Sequence, residues 1–217
     1  MIACVVGATG LVGSELLAQL CDSESVSQVH VMTRRALTPG AIASNPKLTQ
    51  HIVDFNCLQK VEWPRCDHLF CCLGTTIKAA GSQAAFRQVD FDFVVGSALQ
   101  ARQAGARCLL VVSAIGANPH SRTFYSRVKG EMEVAIASLG FDAVLIFRPS
   151  FLEGERLESR AGEQVVLSVL KFANRLIPRK YRSVPAQSVA RAMIAAARED
   201  HEGVVIFESD TLQSFSR

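Results

Sequence analysis

The chain has 217 residues, enough to bury one substantial core and too few to divide comfortably into two catalytic domains. Apolar residues make up 49% of it, charged residues 20% and aromatics 7%, the profile of a folded α/β protein rather than a disordered or fibrous one. A net charge of +3, with its basic residues scattered, lacks the concentrated stripe that nucleic acid demands.

Arginine supplies 17 of the 23 basic residues, and its planar fork of donors suits phosphate and carboxylate groups. The seven cysteines form no CxxC pair and no zinc-ligand spacing. Cys4, Cys71, Cys72 and Cys108 fall in apolar runs, where a reduced cysteine packs as a small hydrophobe. The five histidines likewise lack ligand spacing, so no metal is expected. No cationic leader precedes the first apolar run and no apolar stretch is long enough to span a bilayer. These features predict a cytoplasmic protein without membrane insertion.

In chain order, Ile2–Gly7 is an apolar, β-branched run that ends in glycine and gives way at once to the helical pattern of Leu11, Leu16, Leu17 and Leu20. Gln28–Thr33, Thr49–Val53, His68–Leu73, Cys108–Ser113 and Ala143–Phe147 are similar short runs, of the kind buried on both faces of a parallel sheet. Amphipathic stretches at Ala84–Ala104 and Phe124–Leu139 read as helices, which would also serve to pair two copies in a homodimer. After Phe147, Arg148-Pro149 stops the strand and Phe151–Glu163 reads as loop. Helical patterns return at Val165–Leu176 and Ala186–Arg198, and Val204–Glu208 suits an edge strand. The alternation predicts a single Rossmann-type domain over residues 1–217, a doubly wound parallel sheet to which residues 149–217 add a small substrate-facing lobe.

Gly7, Gly10 and Gly13 spell G-x-x-G-x-x-G between the first strand and the first helix, with Thr9, Leu11 and Val12 completing the turn. Glycine lets the backbone approach a diphosphate, and the amides and dipole of the helix start stabilise its charge. No Gly-Lys-Ser/Thr follows, which excludes a P-loop. At the end of the second strand, Arg34 and Arg35 stand where NAD-binding chains carry an acid, so NADP(H) is the expected cofactor. Asp54 and Phe55 are candidates for the adenine, and Leu73, Gly74 and Thr75 for the loop over the diphosphate and ribose.

Tyr125 and Lys129 lie four apart in a helical pattern and so share one face. An ammonium beside a phenol favours the phenolate, lowering its pKa toward neutrality, and the same ammonium is able to bond a ribose diol. Ser113, closing the fifth strand just before this helix, is a candidate to orient a substrate carbonyl toward Tyr125. Cys71-Cys72 reads as buried core, and Arg156 and Arg160 serve equally for an anionic substrate group or for surface ion pairs.

Together, Gly7–Gly13, Ser113 and Tyr125-x-x-x-Lys129 resemble the atypical, NmrA-like branch of the short-chain dehydrogenase/reductase superfamily. The stretches Gly7–Leu17, Cys72–Thr76, Val128–Glu131, Phe147–Pro149 and Arg156–Glu163 are similar to the human Tat-interacting oxidoreductase family. The resemblance implies NADPH in the cleft, Tyr125 as proton donor or acceptor, Lys129 on the nicotinamide ribose and Pro149 near the nicotinamide. Ala114 stands where members often carry a second serine, leaving Ser113 as the hydroxyl there. The expected activity is NADPH-dependent reduction of a carbonyl or polarised double bond. The alternative is an NADP(H)-sensing regulatory protein, and a sugar-nucleotide epimerase is disfavoured because little chain follows the sixth strand.

Overall fold

In a computed structural model describing residues 1–40, 42–153 and 178–216, seven parallel strands form one sheet in the order β3-β2-β1-β4-β5-β6-β9. They are β1 (Ile2–Val6), β2 (Gln28–Thr33), β3 (Leu48–Ile52), β4 (His68–Cys71), β5 (Cys108–Val112), β6 (Ala143–Arg148) and β9 (Gly203–Glu208). The order reverses between β1 and β4, so their carboxyl ends open a crevice.

Alternation along β1 shows how the sheet is covered. Ala3 and Val5 point to one face, against Leu16, Leu17 and Leu20 of α1 (Leu11–Asp22) and Val189, Ala190 and Met193 of the Ala186–Ala196 helix. Cys4 and Val6 point to the other, against Val94, Ala98 and Ala101 of α4 (Phe93–Gln103) and Met132 and Ile136 of α5 (Phe124–Ala137). At about 25 cal/mol per Å² of apolar surface withdrawn from water, these two layers are the main favourable term holding the sheet between its helices.

Two expectations change. β3 is not buried on both faces: none of its five residues is buried, Ile52 is 65% exposed, and the strand forms an edge of the sheet. Past the short α2 (Ile77–Ala80), the single helix expected over Ala84–Ala104 is three pieces: α3 (Gln83–Arg87), a π-helical stretch Gln88–Asp92, and α4. Wider π turns recur at functional sites, and this one turns Val89 to the crevice and carries Asp90 into the interior. In the carboxyl-terminal third, the Ala186–Ala196 helix and β9 return to the main sheet, while β7 (Leu152–Glu153) pairs with β8 (Val184–Pro185). The helix expected at Val165–Leu176, with Arg156 and Arg160, lies outside the described residues.

Candidate functional site

The turn from β1 into α1 is built on two close approaches. Gly7 has φ +79°, and a Cβ there would lie 2.4 Å from the Cys72 carbonyl carbon; a Cβ on Gly13 would lie 2.1 Å from the Gly7 oxygen. Any side chain at either position would push strand, turn and helix apart. Gly10 caps α1 without offering a side-chain acceptor, and no acid stands in the first turn, so the leading amides and the helix dipole are left for an anion.

That turn faces a cavity of about 480 Å³ lined by Gly7, Thr9, Gly10, Arg34, Phe55, Leu73, Gly74 and Thr75, together with Asn56, Cys72, Gln88, Val89 and Phe93. A contiguous lobe of about 340 Å³ runs past Thr33, Arg34, Arg35 and Ala36. Neither guanidinium has an acidic partner among the described residues, and no acid closes β2, so this end of the crevice presents positive charge. The residues fit a dinucleotide diphosphate.

Not every expected cofactor residue reaches the crevice. The Asp54 carboxylate accepts from the Asn56 amide at 2.9 Å and the Asn56 side chain at 2.8 Å. It caps the short 3-10 turn Phe55–Lys60 and is not among the residues lining the cavity, whereas Phe55 and Asn56 are. Val12 and Gly13 are buried under the turn, and Pro149 contributes its carbonyl to the Ile115 amide.

Beneath Gly74 sits a charged pair. Lys129 Nζ lies 2.7 Å from Asp90 Oδ1, both side chains almost wholly buried, and the Thr75 amide donates to Asp90 Oδ2 at 2.9 Å. A Cβ added at Gly74 would lie 3.4 Å from Asp90 Oδ1 and 3.8 Å from Nζ, so the pair packs against this part of the crevice wall. Tyr125 stands one turn earlier on α5, its ring 5.4 Å from that of Phe86. The expected lowering of its phenol is corrected: burial pushes it up, the Lys129 ammonium opposes, and Asp90 adds to the rise. Lys129 is also raised: burial pulls it down, but the Asp90 carboxylate and Tyr125 outweigh that.

Ser113, 5% exposed, is similarly engaged. Its hydroxyl donates to Glu133 Oε1 at 2.5 Å, and Arg148 grips the same carboxylate through Nε at 3.0 Å and Nη2 at 2.5 Å while reaching Glu208 through Nη1 at 3.1 Å. A hydroxyl has one hydrogen to give, and here Glu133 takes it, so the orienting role expected of Ser113 finds no open donor. Asp90 and Glu133 escaped the sequence reading. A lone acid on an apolar helical stripe, as Asp90 is between Phe86 and Val94, is the signal for a buried partner.

Comparison with known proteins agrees with this geometry. A family described as NAD(P)H-binding matches residues 7–200. The chain is 37% identical over 195 residues to protein HTATIP2 of Rattus norvegicus, covering 88% of this chain and 78% of that one. It is 33% identical over 215 residues to FMP52-1 of Scheffersomyces stipitis, covering 93% and 90%. Among solved structures, MoeE5 in complex with UDP-glucuronic acid and NAD superposes with a TM-score of 0.71 at 17% identity, over 95% of this chain and 75% of that one. The Helicobacter pylori ADP-L-glycero-D-manno-heptose-6-epimerase gives 0.69 at 18%, over 95% and 76%. The likeness to both solved structures lies in the fold.

The cytoplasmic location expected above is corrected by the fungal relatives, whose names from Aspergillus, Coccidioides, Scheffersomyces and Candida all carry the word mitochondrial. All seven cysteines are free thiols, which suits any reducing compartment and so does not select the cytoplasm. Among the described residues, no helix is long and apolar enough to cross a membrane. On the family match over residues 7–200 and these relatives, the chain belongs to the NAD(P)H-binding family that includes HTATIP2 and the FMP52 proteins.

Proposed function

We propose that the protein is an NADP(H)-dependent oxidoreductase of the atypical short-chain dehydrogenase/reductase type, reducing a carbonyl or similarly polarised double bond with Tyr125 as the acid. The observation that carries this reading is the position of Lys129. It lies directly behind Gly74 of the crevice wall and one helical turn from the phenol, so it joins the dinucleotide crevice to a proton donor.

The amides at the start of α1 neutralise the diphosphate, and Arg34 and Arg35 take the 2′-phosphate in charge-assisted hydrogen bonds. NADPH when bound would supply a hydride, while Lys129, implied by the resemblance to hold its ribose, is paired with Asp90 and is not among the groups lining the cavity. As the substrate oxygen gains electron density, Tyr125 passes its phenolic proton to that oxygen, and solvent restores the proton to the phenolate. Glu133 and Arg148 hold the end of β5 on which Ser113 sits, and the proton transfer falls to Tyr125 alone.

With a panel of aldehydes, ketones and enones, Tyr125→Phe is expected to lower kcat by about a hundredfold or more while leaving NADPH affinity near that of the wild type. Undiminished turnover by this variant would exclude Tyr125 as the acid. A second reading, a cofactor-sensing regulator, draws on the engaged Ser113 hydroxyl and the un-ionised phenol. It predicts tight NADPH binding with no oxidation of NADPH across the whole panel.

A further inference from the structure

Asp90 belongs to neither the glycine turn nor the Tyr125–Lys129 helix, yet it touches both halves of the crevice. Its carboxylate is completely buried on the π-helical stretch, one oxygen on the Lys129 ammonium and the other on the Thr75 amide. We propose that Asp90 is a positioning residue that clamps Lys129 behind the crevice wall and cancels its charge, so that Tyr125 is held as a neutral phenol and the site is set to give a proton rather than to take one. The inference rests on the oxidoreductase reading above.

An unpaired ammonium one turn from a phenol would draw it toward phenolate, the state that removes a proton from an alcohol. Paired with Asp90 at 2.7 Å, that ammonium presents little net charge, and burial beside Phe86 then decides in favour of the neutral ring. The other groups facing the pair leave this balance alone. The Cys71 thiol, which meets Lys129 from β4, is pushed up to about 12 by burial and stays neutral. Arg87 and Arg127 are engaged with Glu131 on the outer side of the helices.

The chain has two tyrosines, and Tyr181 is 55% exposed, so Tyr181→Phe leaves Tyr125 as the only phenol to be titrated by ultraviolet absorbance of tyrosinate. In that background the midpoint is expected above the ordinary value of about 10. Adding Asp90→Asn, which keeps an acceptor for the Thr75 amide but frees the ammonium, is expected to lower the midpoint by about one pH unit or more. An unchanged midpoint would overturn the proposal. If the Asp90→Asn protein does not fold, the Tyr181→Phe protein decides alone: a midpoint at or below about 10 sinks the proposal, and one above it sustains it. No substrate enters this titration. A downward shift in a protein that reduces nothing would therefore defeat the oxidoreductase reading while leaving the role of Asp90 intact.

Discussion

The two ends of the crevice are built from different materials. At the diphosphate end, Gly7, Gly10 and Gly13 lie within seven residues of one another, and the binding groups are backbone amides that any sequence would supply once the turn is made. At the Tyr125 end, the groups are side chains drawn from two elements, Tyr125 and Lys129 from α5 and Asp90 from the π-helical stretch, tied to the loop after β4 by the Thr75 amide. The first end tolerates changes in side-chain charge because the fold does not depend on them. The second has placed two opposite charges inside the protein, where each becomes a liability without the other.

The largest expected effect follows from that liability. Asp90→Ala strands the Lys129 ammonium among buried neighbours and is expected to destabilise the protein by about 3–5 kcal/mol, measured by urea denaturation at neutral pH. A double variant, Asp90→Leu with Lys129→Met, should recover most of the loss, because it removes both charges instead of one. The sign with pH is fixed by Lys129, whose folded-state pKa is raised. Its contribution is complete below the unfolded lysine value and is lost as pH climbs through the folded value, so the gap between wild type and Asp90→Ala should narrow in alkali. A gap that widened there would remove the ion pair as its cause.

Next in size is the arginine end, and here binding should change without stability. The Arg34→Ala, Arg35→Ala double variant is expected to weaken NADPH by about 10–100-fold in calorimetry, the worth of one or two charge-assisted hydrogen bonds. NADH affinity and Tm should be almost unmoved. Equal losses for the two cofactors would assign the arginines to general attraction for the diphosphate and not to the 2′-phosphate. A fall in Tm as large as that of Asp90→Ala would break the contrast between the two ends.

The same difference in materials explains what sequence alone made legible. All seven strands of the main sheet, the glycine turn and the Arg34-Arg35 pair were readable because each is a local pattern: a β-branched run, a spacing, a charge at a strand end. Lys129 and Tyr125 were readable as neighbours because they are one turn apart. Their electrostatics were not, since burial reverses the expected shift and the acid that adds to it and pairs with Lys129 is 39 positions upstream of that lysine, inside a π turn that an unbroken helical pattern conceals. β3 was misjudged for a related reason. Leu48–Ile52 pairs with β2 on one side only, and burial depends on what lies beyond the strand rather than on its own residues.

The smallest effect separates two uses of one hydroxyl. Were Ser113 to donate to the substrate oxygen, Ser113→Ala would remove an oxyanion-type donor and lower kcat by about 10²–10³-fold. In the structure its hydrogen is committed to Glu133, which keeps two donors from Arg148 when the hydroxyl is gone. Ser113→Ala is therefore expected to reduce stability by about 1 kcal/mol and kcat by less than about tenfold, whereas Glu133→Ala should reduce stability more, by unpairing Arg148. A hundredfold loss of kcat with stability unchanged would mean that the hydroxyl turns from Glu133 toward the substrate when the crevice fills, and the Tyr125 end would then have two donors in place of one.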